Sequence, residues 1–181
     1  MLKGFQRIEK RGRTYDEEGR MLIEMNILND SNFLSDYSVK DTPIINSEVA
    51  EFIQHATQST KPTEKYTLRV QSSCIDERER TVYRQAIKEY YTEKYLATNE
   101  EIKRKRVIAF FLAIIGVVIL LLAIFLEYRN SVVWMRIVDI TAWVFLWEAV
   151  DIWGLQCREL RLEKARCLAY IDMKIEFIEE H

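Results

Sequence analysis

From Val107 to Leu126 the chain runs twenty residues without a charge or a proline and with one glycine, Gly116. As a helix rising about 1.5 Å per residue it covers roughly 30 Å, the hydrocarbon thickness of a bilayer. A helix that is apolar on every side can be hidden from water only inside a large domain, and 181 residues leave little material to build one. The segment reads as a transmembrane helix, and this limits the architectures open to the rest of the chain.

A second stretch follows at once, from Val132 to Trp153. Its middle is apolar, but it carries Arg136, Asp139, Glu148 and Asp151. Lipid cannot solvate ionisable groups, so within a span they face protein or water. At 100° per residue with Arg136 at zero, Asp139 falls at about 300°, Asp151 at about 60° and Glu148 at about 120°, all within one half of the helix. Arg136 and Asp139 are three residues apart and can neutralise each other. Trp134, Trp143, Trp147 and Trp153 share the segment, two of them near its ends, where indoles favour the headgroup layer. The link Glu127 to Ser131 is short enough for a tight hairpin. The alternative is a hydrophobic helix outside the membrane after a single span.

Flanking charge sets the orientation. Lys103, Arg104, Lys105 and Arg106 precede the first span, Arg158, Arg161, Lys164 and Arg166 follow the second, and the turn holds only Arg129 and Glu127. Lysine and arginine remain on the cytoplasmic side, so both termini are expected there. Met1 to Arg20 is basic but lacks the apolar centre of a signal peptide. Its bases Lys3, Arg7, Lys10, Arg11 and Arg13 oppose Leu2, Phe5 and Ile8 at helical spacing, the pattern of a short helix on an anionic leaflet or of an ordinary solvated basic tail. The net charge of −2 supplies no general field for nucleic acid.

Three stretches alternate with a period of two and read as half-buried strands: Met21 to Leu28, Tyr66 to Gln71 and Ile171 to Ile178. A helix from Ser47 to Thr57, with Val49, Phe52, Ile53 and Ala56 on one face, lies between the first two, so they form a strand–helix–strand unit with a parallel pair. An isolated strand at the chain's end needs neighbours for its backbone bonds, and its natural partners are the two N-terminal strands. Pairing with another subunit's sheet is the alternative. Cys74 to Leu96 is helical by its apolar rows, with Ser73 and Asp76 as a capping box; Thr98 and Glu101 repeat that signature and predict a break and restart. Arg158 to Leu168 also reads as a helix. The expected fold is therefore an α+β membrane protein, a transmembrane helical hairpin (101–157) inserted into a small cytoplasmic α/β domain of about three strands (1–100 and 158–181).

Signatures of catalysis are missing from the sequence. Cys74, Cys157 and Cys167 form no C-x-x-C and are expected as reduced thiols. Cys157, at the inner membrane surface, suits palmitoylation in a eukaryote or an inert core position. His55 and His181 have no second ligand at metal spacing. Phosphate-binding, dinucleotide-binding and nucleophile-elbow motifs are absent, so neither cofactor nor metal is expected. Ser72 and Ser73 follow a strand and precede a helix, where an anion can rest on backbone N–H groups, and they are the ligand candidates of the α/β part.

The stretch Trp143-Val144-Phe145-Leu146-Trp147-Glu148-Ala149-Val150-Asp151 resembles that of small bacterial two-span membrane proteins of unknown function. The resemblance implies a bacterial inner-membrane protein and is silent on activity. Three classes follow from the residues: a membrane-anchored scaffold or regulatory subunit that binds a protein partner through its α/β domain, a homo-oligomeric channel or membrane-disrupting effector lined by the second helix, and an enzyme with an unrecognised site. The first is the expected one, with the bilayer and further copies of the chain as partners and no enzymatic activity.

Overall fold

The computed structural model describes residues 14–27, 29–39, 42–128 and 132–178. The basic N-terminal segment and its three apolar residues, together with Leu28, the hairpin tip at 129–131 and His181, lie outside the described residues. The chain forms two compact units, Met1–Tyr95 with Ala165–His181, and Leu96–Lys164.

The first unit mixes helix and strand around a three-stranded, wholly parallel sheet in the order β1-β2-β3, with β1 at Met21–Asn26, β2 at Tyr66–Gln71 and β3 at Lys174–Ile178. Ile23, Leu68 and Ile175 share one row, and Met25, Val70 and Phe177 the next. That face is the buried one: Leu68 and Val70 are wholly inaccessible, and Ile23 nearly so. α1 (Ser47–Thr57) starts where the Asn46 side chain accepts the Glu48 N–H at 3.2 Å. Its inward residues are Ala50, Ile53 and Thr57, whereas Phe52, expected on the buried face, is 43% exposed. The rotation brings a hydroxyl inward: Thr57 Oγ1 donates to Ile53 O at 2.9 Å and meets the Tyr170 hydroxyl, so its burial leaves no bond unmade.

α2 spans Glu77–Tyr128 as one helix. Its cap lies three residues later than the sequence suggests, because Asp76 rather than Ser73 stands at the start, with the Asp76 N–H donating to Glu79 Oε2 at 2.9 Å. The expected break at Thr98 does not occur. No glycine or proline interrupts the helix between Glu77 and Ile115, and Thr98 is buried within it at 6% exposure. Tyr83, Ala86, Ile87 and Tyr91 from its first turns join the core over the sheet.

At the far end of the chain α4 (Cys157–Ile171) continues three residues past the expected Leu168. Ile171 is thus helical, Met173 is a buried link, and β3 begins only at Lys174. Tyr170 occupies the last turn of α4, its ring 4.6 Å from that of Tyr91 and 5.7 Å from that of Tyr66. This aromatic cluster anchors the returning chain beside the central strand.

The second unit contains the remainder of α2, then α3 (Val132–Asp151), a single π turn (Ile152–Gln156) and the start of α4. Among the described residues one helix, α2, is long and apolar enough to cross a membrane by length and composition.

Candidate functional site

In the second unit the chain returns antiparallel along α2, as one contact each from α3, the π turn and α4 shows. A Cβ on Gly116 would lie 2.8 Å from Leu146 Cγ and 3.3 Å from Ala142 O, Lys105 Nζ donates to Gln156 Oε1 at 2.7 Å, and Lys164 Nζ donates to Asn99 Oδ1 at 2.7 Å. The seam on α2 is a strict heptad, Ile102, Ala109, Gly116 and Ala123, whose side chains are small except at the first position. Ala142 and Ala149 answer from α3, followed by the buried Ile152 and by Cys157, which stands eight positions past Ala149 rather than seven. The π turn supplies the extra residue: the Cys157 N–H bonds to Ile152 O, five residues back. Small residues at every second turn allow the two backbones to approach closely.

The ionisable residues of α3 are distributed around that seam. Asp151 is half-buried and accepts from Gln156 Nε2 at 2.9 Å, so Lys105, Gln156 and Asp151 form a chain of hydrogen bonds at one end of the hairpin. Asp139 is half-buried and Arg136 exposed, and no ion pair joins them among the described residues. Glu148 is exposed and bonds to no other described side chain. Gln156 and Lys105 carry no motif, and only the helix pairing reveals that they belong with Asp151.

Ser72 and Ser73 sit at the C-terminal end of β2. Ser72 is buried at 4%, its backbone N–H donates to Ile178 O at 3.1 Å, and its hydroxyl accepts the Cys74 N–H at 3.2 Å. Ser73 is exposed. The α2 N-terminus beyond them is capped from within by Asp76 and Glu79 and carries Glu77 in its first turn, so the charge there is negative.

A second polar feature was invisible as a motif. The sheet face opposite the core carries Glu24, Arg69 and Glu176 in one row, with Arg69 3.6 Å from Glu24 and 3.5 Å from Glu176. Lys174 on the same face bridges Glu176 and Glu18, each at 3.1 Å. Thr67 Oγ1 donates to Asp16 Oδ2 at 2.6 Å, tying the Thr14–Arg20 turn to one end of this face. The Thr67 hydroxyl, more than any other neighbour, lowers the Asp16 pKa; the Lys174 ammonium lowers that of Glu18, and Glu176 and then Glu18 raise that of Lys174. All three groups are solvent-accessible, so these are modest surface effects. Alternation along each strand puts every second residue on this face, but only the strand order brings Glu24, Arg69 and Glu176 into one row.

Cys157 and Cys167 are buried and Cys74 is exposed, all as free thiols. Among the described residues no group of three His, Cys, Asp or Glu side chains is placed to hold a metal. No family model matches the chain, and no curated protein or solved structure is similar to it.

Proposed function

We propose that this chain is an integral protein of the bacterial inner membrane, spanning it twice through the α2–α3 hairpin with both termini cytoplasmic, and that its α/β unit serves as a membrane-anchored scaffold or regulatory subunit for a protein partner. The observation that carries the reading is the belt of large apolar side chains exposed around both helices. Phe111, Val118, Leu121 and Phe125 on α2, and Ile140, Val144, Trp147 and Val150 on α3, are each more than half exposed. Apolar surface of this extent is stable against lipid or protein and not against water. The eight Lys and Arg residues flanking the inner ends of the helices, against Arg129 alone in the tip, support the orientation.

The regulatory half of the reading rests on the sheet. Parallel sheets ordinarily have both faces covered, and here the upper part of one face leaves Glu24 exposed beside the half-buried Arg69 and Glu176. A partner docking there would meet a fixed array of charges on a firm backbone.

Carbonate washing of membranes followed by photo-crosslinking tests both halves. The protein should stay in the washed pellet, and a crosslinker at Glu24 should capture a partner whose capture Arg69→Ala abolishes. Release by carbonate would overturn the membrane half. Retention without any crosslink that depends on Arg69 would overturn the scaffold half. The second reading, a homo-oligomeric channel or membrane-disrupting effector lined by α3, draws on the exposed Glu148. It requires a bilayer conductance altered by Glu148→Gln.

A further inference from the structure

We infer that the face of α3 turned away from α2 is a contact between two copies of this chain, formed inside the bilayer by parallel α3 helices and closed by a hydrogen bond from Trp143 of each copy to Glu148 of the other. The inference rests on the membrane reading above. It starts from the angular positions of the residues that lipid serves worst. With Arg136 at zero, the buried seam residues Ala142 and Ala149 point to about 240° and 220°. Arg136, Thr141, Glu148 and Asp151 stand at about 0°, 140°, 120° and 60°, Thr141 at the edge of the opposite half and the others within it, while Asp139, at about 300°, lies on the flank nearer the seam. The first three are exposed and Asp151 is half-buried.

Between them runs a second heptad stripe that no other part of the described residues covers: Ile137, Ile140, Val144 and Trp147, spaced three, four and three and exposed by 52, 66, 62 and 67%. Packed on a second helix they take the a and d positions. Arg136 and Trp143 then fall at g, and Thr141 and Glu148 at e. Two copies inserted the same way round have parallel α3 helices, and in a parallel pair each g residue meets the e residue five positions on in the partner. Arg136 therefore meets the partner's Thr141, and Trp143 meets the partner's Glu148. Both crossings join a donor to an acceptor: guanidinium to hydroxyl, indole N–H to carboxylate. The antiparallel pairing sets Trp143 roughly level with Val117, in the middle of the charge-free run of α2 and away from the headgroup layer that indoles prefer. Glu148 is roughly level with Ala113, about 9 Å inside that run. A carboxylate and an indole N–H at this depth both need a partner, and the second copy supplies one to each. Asp151 closes the stripe nearer the membrane surface, where Gln156 already holds it.

The test uses the full chain in native membranes, with Cys74, Cys157 and Cys167 replaced by serine or alanine and one cysteine introduced. Oxidation should join two chains through Ile140→Cys and Val144→Cys and leave Val118→Cys, on the outer side of α2, monomeric. Adding Glu148→Ala or Trp143→Phe should reduce crosslinking at Val144→Cys by about tenfold, and Glu148→Gln, which keeps an acceptor, should restore most of it. Absence of crosslinking at both stripe positions in carbonate-resistant protein overturns the contact and leaves the membrane reading standing. Stronger crosslinking at Val118→Cys also overturns it, as does crosslinking indifferent to Glu148→Ala. Protein that carbonate releases overturns the membrane reading and this inference together.

Discussion

Replacing Gly116 puts the α2–α3 seam under direct strain. An added Cβ would stand 2.8 and 2.9 Å from two carbons of Leu146 and 3.3 Å from the Ala142 carbonyl oxygen. Ordinary carbon contacts lie at about 3.5–4.0 Å, so either Leu146 must change rotamer or the helices must part by roughly 1 Å. Alanine returns about 1 kcal/mol of helix propensity, which offsets much of that strain, and Gly116→Ala should fall within about 1 kcal/mol of the parent. Valine adds two methyl groups and cannot be relieved by Leu146 alone. Gly116→Val should destabilise the hairpin by about 2–3 kcal/mol. In a Leu146→Ala background the closest atoms are gone, and the alanine at 116 should become stabilising, with a coupling of about 1–2 kcal/mol between the two sites. All four tryptophans lie between residues 134 and 153, so their fluorescence during denaturation of the detergent-solubilised protein follows the hairpin and not the sheet. An unchanged midpoint for Gly116→Val, or additivity between positions 116 and 146, would refute the packing argument.

Ile175, 9% exposed and paired in register with Leu68, should lose about 2–3 kcal/mol as Ile175→Ala, seen as faster hydrogen exchange of the β2 amides; unchanged exchange would mean that β3 contributes nothing to the sheet. Thr57→Val leaves the Tyr170 hydroxyl facing a methyl group in a buried site and should cost about 1–3 kcal/mol, whereas Thr57→Ser should cost less by keeping the oxygen; equal losses would count against the hydroxyl pairing. Asp16 has a depressed folded-state pKa, so the stability it lends is present above the ordinary carboxylate range near 4 and lost as pH falls through and below it. Protease cleavage within Thr14–Arg20 should therefore rise as pH falls through about 4, and Asp16→Asn should show the raised level already at neutral pH. Lys174 acts in the opposite sense: its raised pKa makes its contribution complete below about 10.4 and lost as the ammonium deprotonates above that. A thiol placed at Ser131 should react with an impermeant reagent on intact cells; labelling only after lysis would invert the proposed orientation.

β2 was legible to the residue because Tyr66 to Gln71 alternates without interruption and lies at the centre of the sheet, where both neighbours enforce the pattern. The third strand was misplaced at its start because Ile171 and Met173 fit a period of two equally well, although one ends a helix and the other fills a turn. Thr98 and Glu101 imitate a helix start, yet a capping box acts only where the preceding backbone leaves the helix, and an unbroken hydrogen-bond ladder runs through them. The charged residues of α3 were legible as a half-circle but not in their direction, since a helix apolar on all sides does not show which side meets its neighbour. Alanine and glycine at heptad spacing in α2 held that information, and large apolar residues around them masked it. The Glu24–Arg69–Glu176 row was hidden because each residue sits on a different strand.

The parallel sheet also has an order of construction. β2 ends at Gln71 and its neighbour β3 begins at Lys174, so about 100 residues, the whole hairpin included, are synthesised between the two. At roughly 5–20 residues per second a nascent chain holds β1 and β2 together for about 5–20 s before the third strand exists. During that interval one side of β2, with Leu68 and Val70, is an open edge able to accept a strand from any chain nearby. Closing the loop afterwards costs about 4 kcal/mol of chain entropy if the intervening segment is slack, and less once the two helices have paired and shortened the path. Defects at Gly116 or in the π turn should therefore surface first as aggregation of newly made protein through β2, at a distance in the sequence from the altered residue.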